Sequence, residues 1–438
     1  MNLQISLLAR QFTKLPCKGI RPSILRFVST VSNQTEDLAH SNDKSGVQVG
    51  TSSVEISWPA IRQTDAHMPH TSNYSHVWLR DNCPCPLCLH PSNRQKLHSS
   101  ADIPLNIAPE NAIVRDDGIE ITWDKPLRHH HDSNTHKSFY PLSFLSKYSS
   151  PTSRQTFRYN NMKYITWDRN LMHAQNKFIP YDEYNTEEGL YKTLKQLFDY
   201  GIVFLNNVPT EDCKVTEVAE RIGNIRESFY GRDFDVKSVA KSTNIAYTSL
   251  YLGFHMDLLY FEAPPGLQLL HNLKNTVIGG SSIFVDSFQA VNIMKEKHPE
   301  EYRVLCEIPV TFHYVNDGHH MYYRRPTIVN DYNQEGGSWG MHVNYAPPFQ
   351  GPLDIDDPKE AKRFYKAFQL FADIVEDEKL RFELTLKPGQ LVIFANRRVL
   401  HGRTEFDPTS GDRHLKGTYL DLDVFKDKLR VLSEKYNV

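Results

Sequence analysis

His255 and Asp257 stand two residues apart in Gly253-Phe254-His255-Met256-Asp257-Leu258-Leu259-Tyr260-Phe261. On a segment of strand-forming residues alternate side chains share a face, so the spacing predicts an imidazole and a carboxylate side by side. Those are two of the three protein ligands of a facial site for ferrous iron, a site that leaves three coordination positions open. The spacing alone is not decisive: His130 and Asp132 repeat it among Arg128, Ser133, Asn134 and Thr135, where it reads as a solvated loop. A third ligand is expected from a distant strand facing the same cavity. His401 qualifies. Pro388-Gly389 turns into Gln390-Leu391-Val392-Ile393-Phe394, a buried strand, and His401 follows just past it, beside Gly402. Further on, Arg413 enters another predicted strand that also holds Tyr419. A guanidinium there suits a carboxylate co-substrate, because its planar fork makes two charge-assisted hydrogen bonds.

A second constellation lies upstream. Cys83, Cys85 and Cys88 present three thiolates within six residues, and tetrahedral zinc needs one further ligand. Cys17, Cys213 and Cys306 are scattered, so the six cysteines do not form the dispersed framework of a secreted disulfide protein. A reducing compartment and a local metal site are expected.

The elements that must position these residues are legible in outline. A chain of 438 residues is long enough for one large domain and a smaller one. With 23 Phe and 22 Tyr it can fill a core. A net charge of −2 disfavours electrostatic binding to nucleic acid or to anionic membrane. No apolar run reaches the roughly 18 residues of a membrane span, so neither partner is expected. Residues 1 to about 35 carry Arg10, Lys14, Lys18, Arg21 and Arg26, and no acidic residue precedes Glu36. That composition predicts a mitochondrial presequence and a matrix location, with the cytoplasm as the alternative. With the polar stretch after it, it fills residues 1–47.

A small unit is predicted over 48–148. Its half-buried strands are Val54–Trp58 and Ile119–Trp123, and the cysteine cluster falls between them. A larger unit over 149–438 begins with a helix whose expected capping box is Asn185 with Glu188, followed by Leu190, Leu194 and Leu197 on one face and Gly201 at the end. A short helix near 216–222 comes next. Strands are predicted at 202–205, 245–261, 266–273, 281–286, 309–315, 383–386, 391–395 and 416–424. One strong helix, marked by Phe364, Phe368, Phe371 and Val375, interrupts the series. Many strands with few helices predict a mainly β, closed or double-sheet architecture.

The order His255-x-Asp257, His401-Gly402-Arg403, Arg413-His414-Leu415-x-Gly417-x-Tyr419 resembles the 2-oxoglutarate- and Fe(II)-dependent γ-butyrobetaine and trimethyllysine dioxygenases. Asn244–Thr248 and Pro264–His271 fit as well, and the likeness spans about residues 50 to 435. It implies a double-stranded β-helix (jelly-roll) catalytic domain behind an N-terminal zinc domain. Iron would be held by His255, Asp257 and His401, and 2-oxoglutarate by Arg413 and Leu270, with ascorbate as reductant. The small domain's structural zinc would take Cys83, Cys85, Cys88 and a later histidine. By position that looks like His136, with His90, His98 and His129 to His131 as rivals. A homodimer is implied too.

The implied substrate is a trimethylammonium compound, γ-butyrobetaine in the first instance and trimethyllysine as the alternative. A permanent cation without N–H groups is best met by aromatic faces. The matching positions are Tyr230, Phe234, Tyr247 and Tyr419, with Asn244 and Asn344 as candidates for the substrate's carboxylate end. Phe234 replaces a tryptophan expected in γ-butyrobetaine enzymes. A catalytically silent zinc-bearing interaction protein is the remaining alternative, disfavoured by the complete triad and arginine.

Overall fold

The computed structural model describes residues 46–58, 69–129, 136–159, 162–237, 248–330 and 340–436. Two sheets carry the catalytic half. Their ten strands, in chain order, are β1 Phe178–Pro180, β2 Ile202–Asn206, β3 Phe234–Lys237, β4 Leu252–His255, β5 Leu267–Asn275, β6 Ser282–Asp286, β7 Phe382–Leu384, β8 Leu391–Ala395, β9 Val399–Arg403 and β10 Arg413–Leu420. The larger sheet runs β1-β2-β8-β5-β10-β3 and the smaller β4-β9-β6-β7. Every pairing is antiparallel except β1 with β2. From β3 to β6, and again from β7 to β10, consecutive strands alternate between the two sheets, as in the predicted double-stranded β-helix. Phe204 of the larger sheet meets Phe284 of the smaller edge-on at 5.9 Å, and Phe382, Val392, Phe394 and Val399 complete that part of the core.

Strands β8 and β9 are buried along their whole length; β8 is a continuous apolar run, whereas β9 carries His401 and Arg403 into the interior. The helix Glu187–Tyr200 covers the larger sheet with Leu190, Leu194 and Leu197. Its cap is one residue later than expected: Thr186, not Asn185, accepts from the Gly189 N–H at 2.9 Å. Asn185 is instead in helical conformation, ending the short helix Tyr181–Tyr184. Gly201 closes the longer helix at φ 74°, a left-handed conformation that glycine adopts without strain.

Other expectations need correcting. The 245–261 strand is only β4; residues 257–260 form a turn. The strand expected at 416–424 ends at Leu420, and a helix, Leu422–Tyr436, follows because Phe425, Leu429 and Leu432 recur at helical spacing and are buried. The aromatic stripe does form the helix Pro358–Val375, but it is not alone. Ser287–Lys297 is capped by Asp286, and Pro299–Glu307 starts on a proline at its first turn, two start signals missed in the sequence.

Upstream, two three-stranded sheets hold a separate hydrophobic cluster of Trp58, Tyr74, Leu79, Ile119, Ile121, Trp123 and Tyr140. Its buried polar groups are paired: Trp58 Nε1 donates to Ser72, Trp123 Nε1 to Ser138, and the Tyr140 hydroxyl to the Leu79 carbonyl. The decoy at His130 to Asp132 lies outside the described residues, as does the expected presequence.

Candidate active site

His255 and His401 face each other across an antiparallel pair. β4 lies beside β9 with His255 opposite His401, and their rings are 4.2 Å apart. The strands can approach here because Gly402 has no side chain; a Cβ would fall 2.5 Å from the Leu252 carbonyl oxygen. Asp257 joins them by a route other than strand alternation. The strand stops at His255, and Leu258 takes φ +59°, rare for a residue with a side chain, so the chain turns sharply after the aspartate. Asp257 Oδ1 ends 3.3 Å from His255 Nε2 and 4.0 Å from His401 Nε2.

The three ligand atoms lie within 4.8 Å of one another, close enough to share one ion. Their chemical states also fit a metal. His255 Nδ1 is 2.9 Å from the Gly253 carbonyl, which can only accept, so Nδ1 carries a proton and Nε2 is the nitrogen turned toward Asp257. Burial pushes His401 down to about 3 despite the neighbouring Asp257 carboxylate, so its ring is neutral at physiological pH. Burial alone would raise the Asp257 carboxyl; hydrogen bonding to His255, the electrostatic influence of the two imidazoles and the Tyr419 hydroxyl hold it well below the usual carboxylate range. Two imidazoles and one carboxylate are the donor set of a non-haem Fe(II) site.

The aspartate is braced from two sides. Asn396, fully buried after β8, accepts from the Asp257 N–H at 2.8 Å and donates to the Asp257 and Pro265 carbonyls. Tyr419 donates its hydroxyl to Asp257 Oδ2 at 2.7 Å. Asn396 was missed in the sequence, although a polar residue directly after an all-apolar strand is a signal of a buried hydrogen-bonding task.

One cavity contains His255, Asp257 and His401, together with Leu270, Arg413, Tyr230, Phe234 and Tyr419. Phe234 stacks on Tyr419 at 5.0 Å, and Tyr230 is 6.2 Å from Phe234. Tyr260, Phe349 and Gln268 also line it and were not foreseen. Gln268 is buried, and its Oε1 makes no hydrogen bond within the described residues. Arg413 opens β10, opposite Asn275 of β5. No carboxylate pairs with it among the described residues, its Nε is unpartnered, and burial with the neighbouring Arg403 charge lowers it to about 9. Arg403 differs in that it donates to the Thr248 and Leu250 carbonyls. Asn344 does not reach the cavity. Its amide donates to the Pro326 carbonyl and accepts from Arg397, because the strand Met341–Val343 before it turns that side chain inward against Thr327 and Pro326. Asn244 and Tyr247 lie outside the described residues.

The cysteine cluster forms a second centre. Cys83, Cys85 and Cys88 follow the helix His76–Asp81, and His136 stands just before the strand Lys137–Pro141. His136 Nε2 is 3.3, 3.6 and 3.5 Å from the three sulfurs. A zinc tetrahedron with ordinary bond lengths has S···N edges of about 3.6 Å. The donor set and its spacing fit zinc with no open position. A hydrogen bond from Cys83 lowers the Cys88 thiol to about 3, with His136 and Arg80 adding to it, while Cys83 itself is raised. Arg80, buried and 3.3 Å from Cys88 Sγ, was not singled out in the sequence. Among the rivals, His98 is engaged with Asp81, and His129 is exposed.

Residues 169–419 match the model of the "Taurine catabolism dioxygenase TauD, TfdA family", and residues 46–146 that of "Gamma-butyrobetaine hydroxylase-like, N-terminal". The chain is 40% identical to Dioxygenase str8 of Strobilurus tenacellus, with 83% of this chain and 86% of the relative covered. It is 33% identical to the gamma-butyrobetaine dioxygenase of Pseudomonas sp. (strain AK-1), covering 87% and 94%. To the trimethyllysine dioxygenase of Meyerozyma guilliermondii it is 28% identical, covering 83% and 91%. The paired imidazoles, the braced carboxylate and Arg413 thus sit in a chain that belongs to the TauD/TfdA family of Fe(II)- and 2-oxoglutarate-dependent dioxygenases, with γ-butyrobetaine and trimethyllysine dioxygenases among its relatives.

Proposed function

We propose that the enzyme hydroxylates γ-butyrobetaine at its third carbon, giving L-carnitine. The observation that carries this reading is the clustering of Tyr230, Phe234 and Tyr419 on the cavity that also contains the three metal-ligand side chains. Aromatic faces attract a trimethylammonium group by up to about 2 kcal/mol each when water is excluded, whereas such a group gains nothing from hydrogen-bond acceptors. His255, Asp257 and His401 would hold Fe(II). Bound there, Fe(II) with 2-oxoglutarate and O2 would supply the oxidising chemistry, one oxygen atom going to succinate, with loss of CO2, and the other to the substrate.

The chain's own residues do the rest. Arg413 takes the distal carboxylate of 2-oxoglutarate, and Leu270 packs beside it. The aromatic walls fix the cationic end of the substrate, which aims one C–H bond at the metal and keeps water out. Ascorbate is proposed as the reductant that keeps iron ferrous. The Cys83, Cys85, Cys88 and His136 cluster is proposed as a closed structural zinc site, the chain as a homodimer, and the mitochondrial matrix as its location.

The reading is tested by offering γ-butyrobetaine and trimethyllysine in competition with Fe(II), ascorbate and 2-oxoglutarate, and weighing the products by mass spectrometry. Carnitine as the dominant product is expected. Preferential oxygen transfer to trimethyllysine would reassign the substrate within the same chemistry, and succinate formed without either product would reject both.

A further inference from the structure

The Asp257 carboxylate presents its two oxygens to different neighbours. Oδ1 faces His255 Nε2 and His401 Nε2, at 3.3 and 4.0 Å, while Oδ2 accepts the Tyr419 hydroxyl at 2.7 Å. The backbone on either side of this carboxylate is fixed by the Asn396 amide, so the side-chain torsions are its remaining freedom. Those torsions decide how many positions the aspartate occupies on a metal. Through one oxygen, two histidines and one aspartate leave three of six positions open. A bidentate co-acid and O2 together need three. An aspartate binding through both oxygens would leave only two.

We propose that Tyr419 is a positioning residue that keeps Asp257 a one-oxygen ligand by holding Oδ2, while its ring serves as a wall of the substrate pocket. One side chain on β10 thereby ties the open coordination count to the pocket that receives the substrate. The register places it for this: Tyr419 pairs with Gln268 of the cavity-lining strand β5, and its ring lies on Phe234. The inference rests on the reading of His255, Asp257 and His401 as the metal site.

The test uses Tyr419→Phe, which keeps the ring and removes only the donor. Mn(II), a redox-quiet probe for Fe(II), is titrated by the loss of its free-ion electron paramagnetic resonance signal. The number of water molecules on bound Mn(II), read from water-proton relaxation, is expected to drop from three to two in the variant, as the freed Oδ2 takes up one position. The KM for γ-butyrobetaine is expected to stay within about threefold, because the wall remains. Three waters on Mn(II) in the variant, as in the unaltered enzyme, would overturn the inference. So would equal losses in Mn(II) and substrate binding, since those would mean that the wall as a whole had moved. If the unaltered enzyme takes up no Mn(II), the metal reading itself falls and the inference with it.

Discussion

At the residue scale, the site is built from groups whose hydrogen bonds are satisfied and a few that are left waiting. Asn396 and Tyr419 belong to the first kind. Gln268 belongs to the second: it is buried on the cavity wall, and its Oε1 has no acceptor role within the described residues. An unpaired buried polar group costs about 1–3 kcal/mol, and that cost is relieved when a ligand supplies the partner. Replacing Gln268 with Leu should therefore raise the stability of the ligand-free protein by about 1–2 kcal/mol, read as a higher urea midpoint at unchanged slope. The same change should lower kcat/KM at least roughly tenfold, since whichever polar end of the bound molecules reaches the amide loses its contact. A variant that is less stable and fully active would show that the amide is a packing group only.

At the element scale, the strands set the width of the pocket. Phe234 on β3 is paired with Gly417 on β10, and a Cβ at Gly417 would lie 2.4 Å from the Phe234 ring and 3.0 Å from Leu270. Gly417→Ala should push that ring off Tyr419 and narrow the cavity. The expected result is a roughly tenfold higher KM for the proposed substrate, γ-butyrobetaine, and a stability loss of about 1–3 kcal/mol from overpacking. An unchanged KM would mean that Phe234 is not part of the cage. Elements of this kind show what the sequence discloses. His401 and Arg413 were legible because charged or titratable groups stand out in apolar strands, and the cysteines because three thiolates in six residues have few other uses. The turn at Leu258 was not, since nothing about a leucine signals a left-handed backbone. Nor was the Tyr419 bond to Asp257, which joins residues 162 apart in the chain. Asn344 misled because its type fitted a carboxylate site while its inward direction depends on tertiary packing.

At the scale of the whole molecule, the chemistry and the Cys3His cluster sit over different hydrophobic clusters, one around Trp58, Trp123 and Tyr140 and the others around the two catalytic sheets. No metal ligand is shared between the two centres. The cysteines and His136 join the end of a six-residue helix to a strand edge, which the Tyr140 hydroxyl also ties together through the Leu79 carbonyl. Zinc binding to such a set is worth on the order of 10 kcal/mol in isolated zinc-finger peptides, and it draws protons off the thiols. Loss of zinc should therefore loosen this unit first and leave the iron site to follow. Cys88→Ser removes the thiol that hydrogen bonds to Cys83 and Arg80 already hold deprotonated. Elemental analysis should find one zinc per chain in the unaltered protein and almost none in this variant. Trp58, Trp78 and Trp123 all lie in the small unit, so their fluorescence should shift to the red at a lower temperature than the loss of 2-oxoglutarate turnover. A zinc-free variant that melts like the unaltered protein would show that the cluster contributes nothing to the fold.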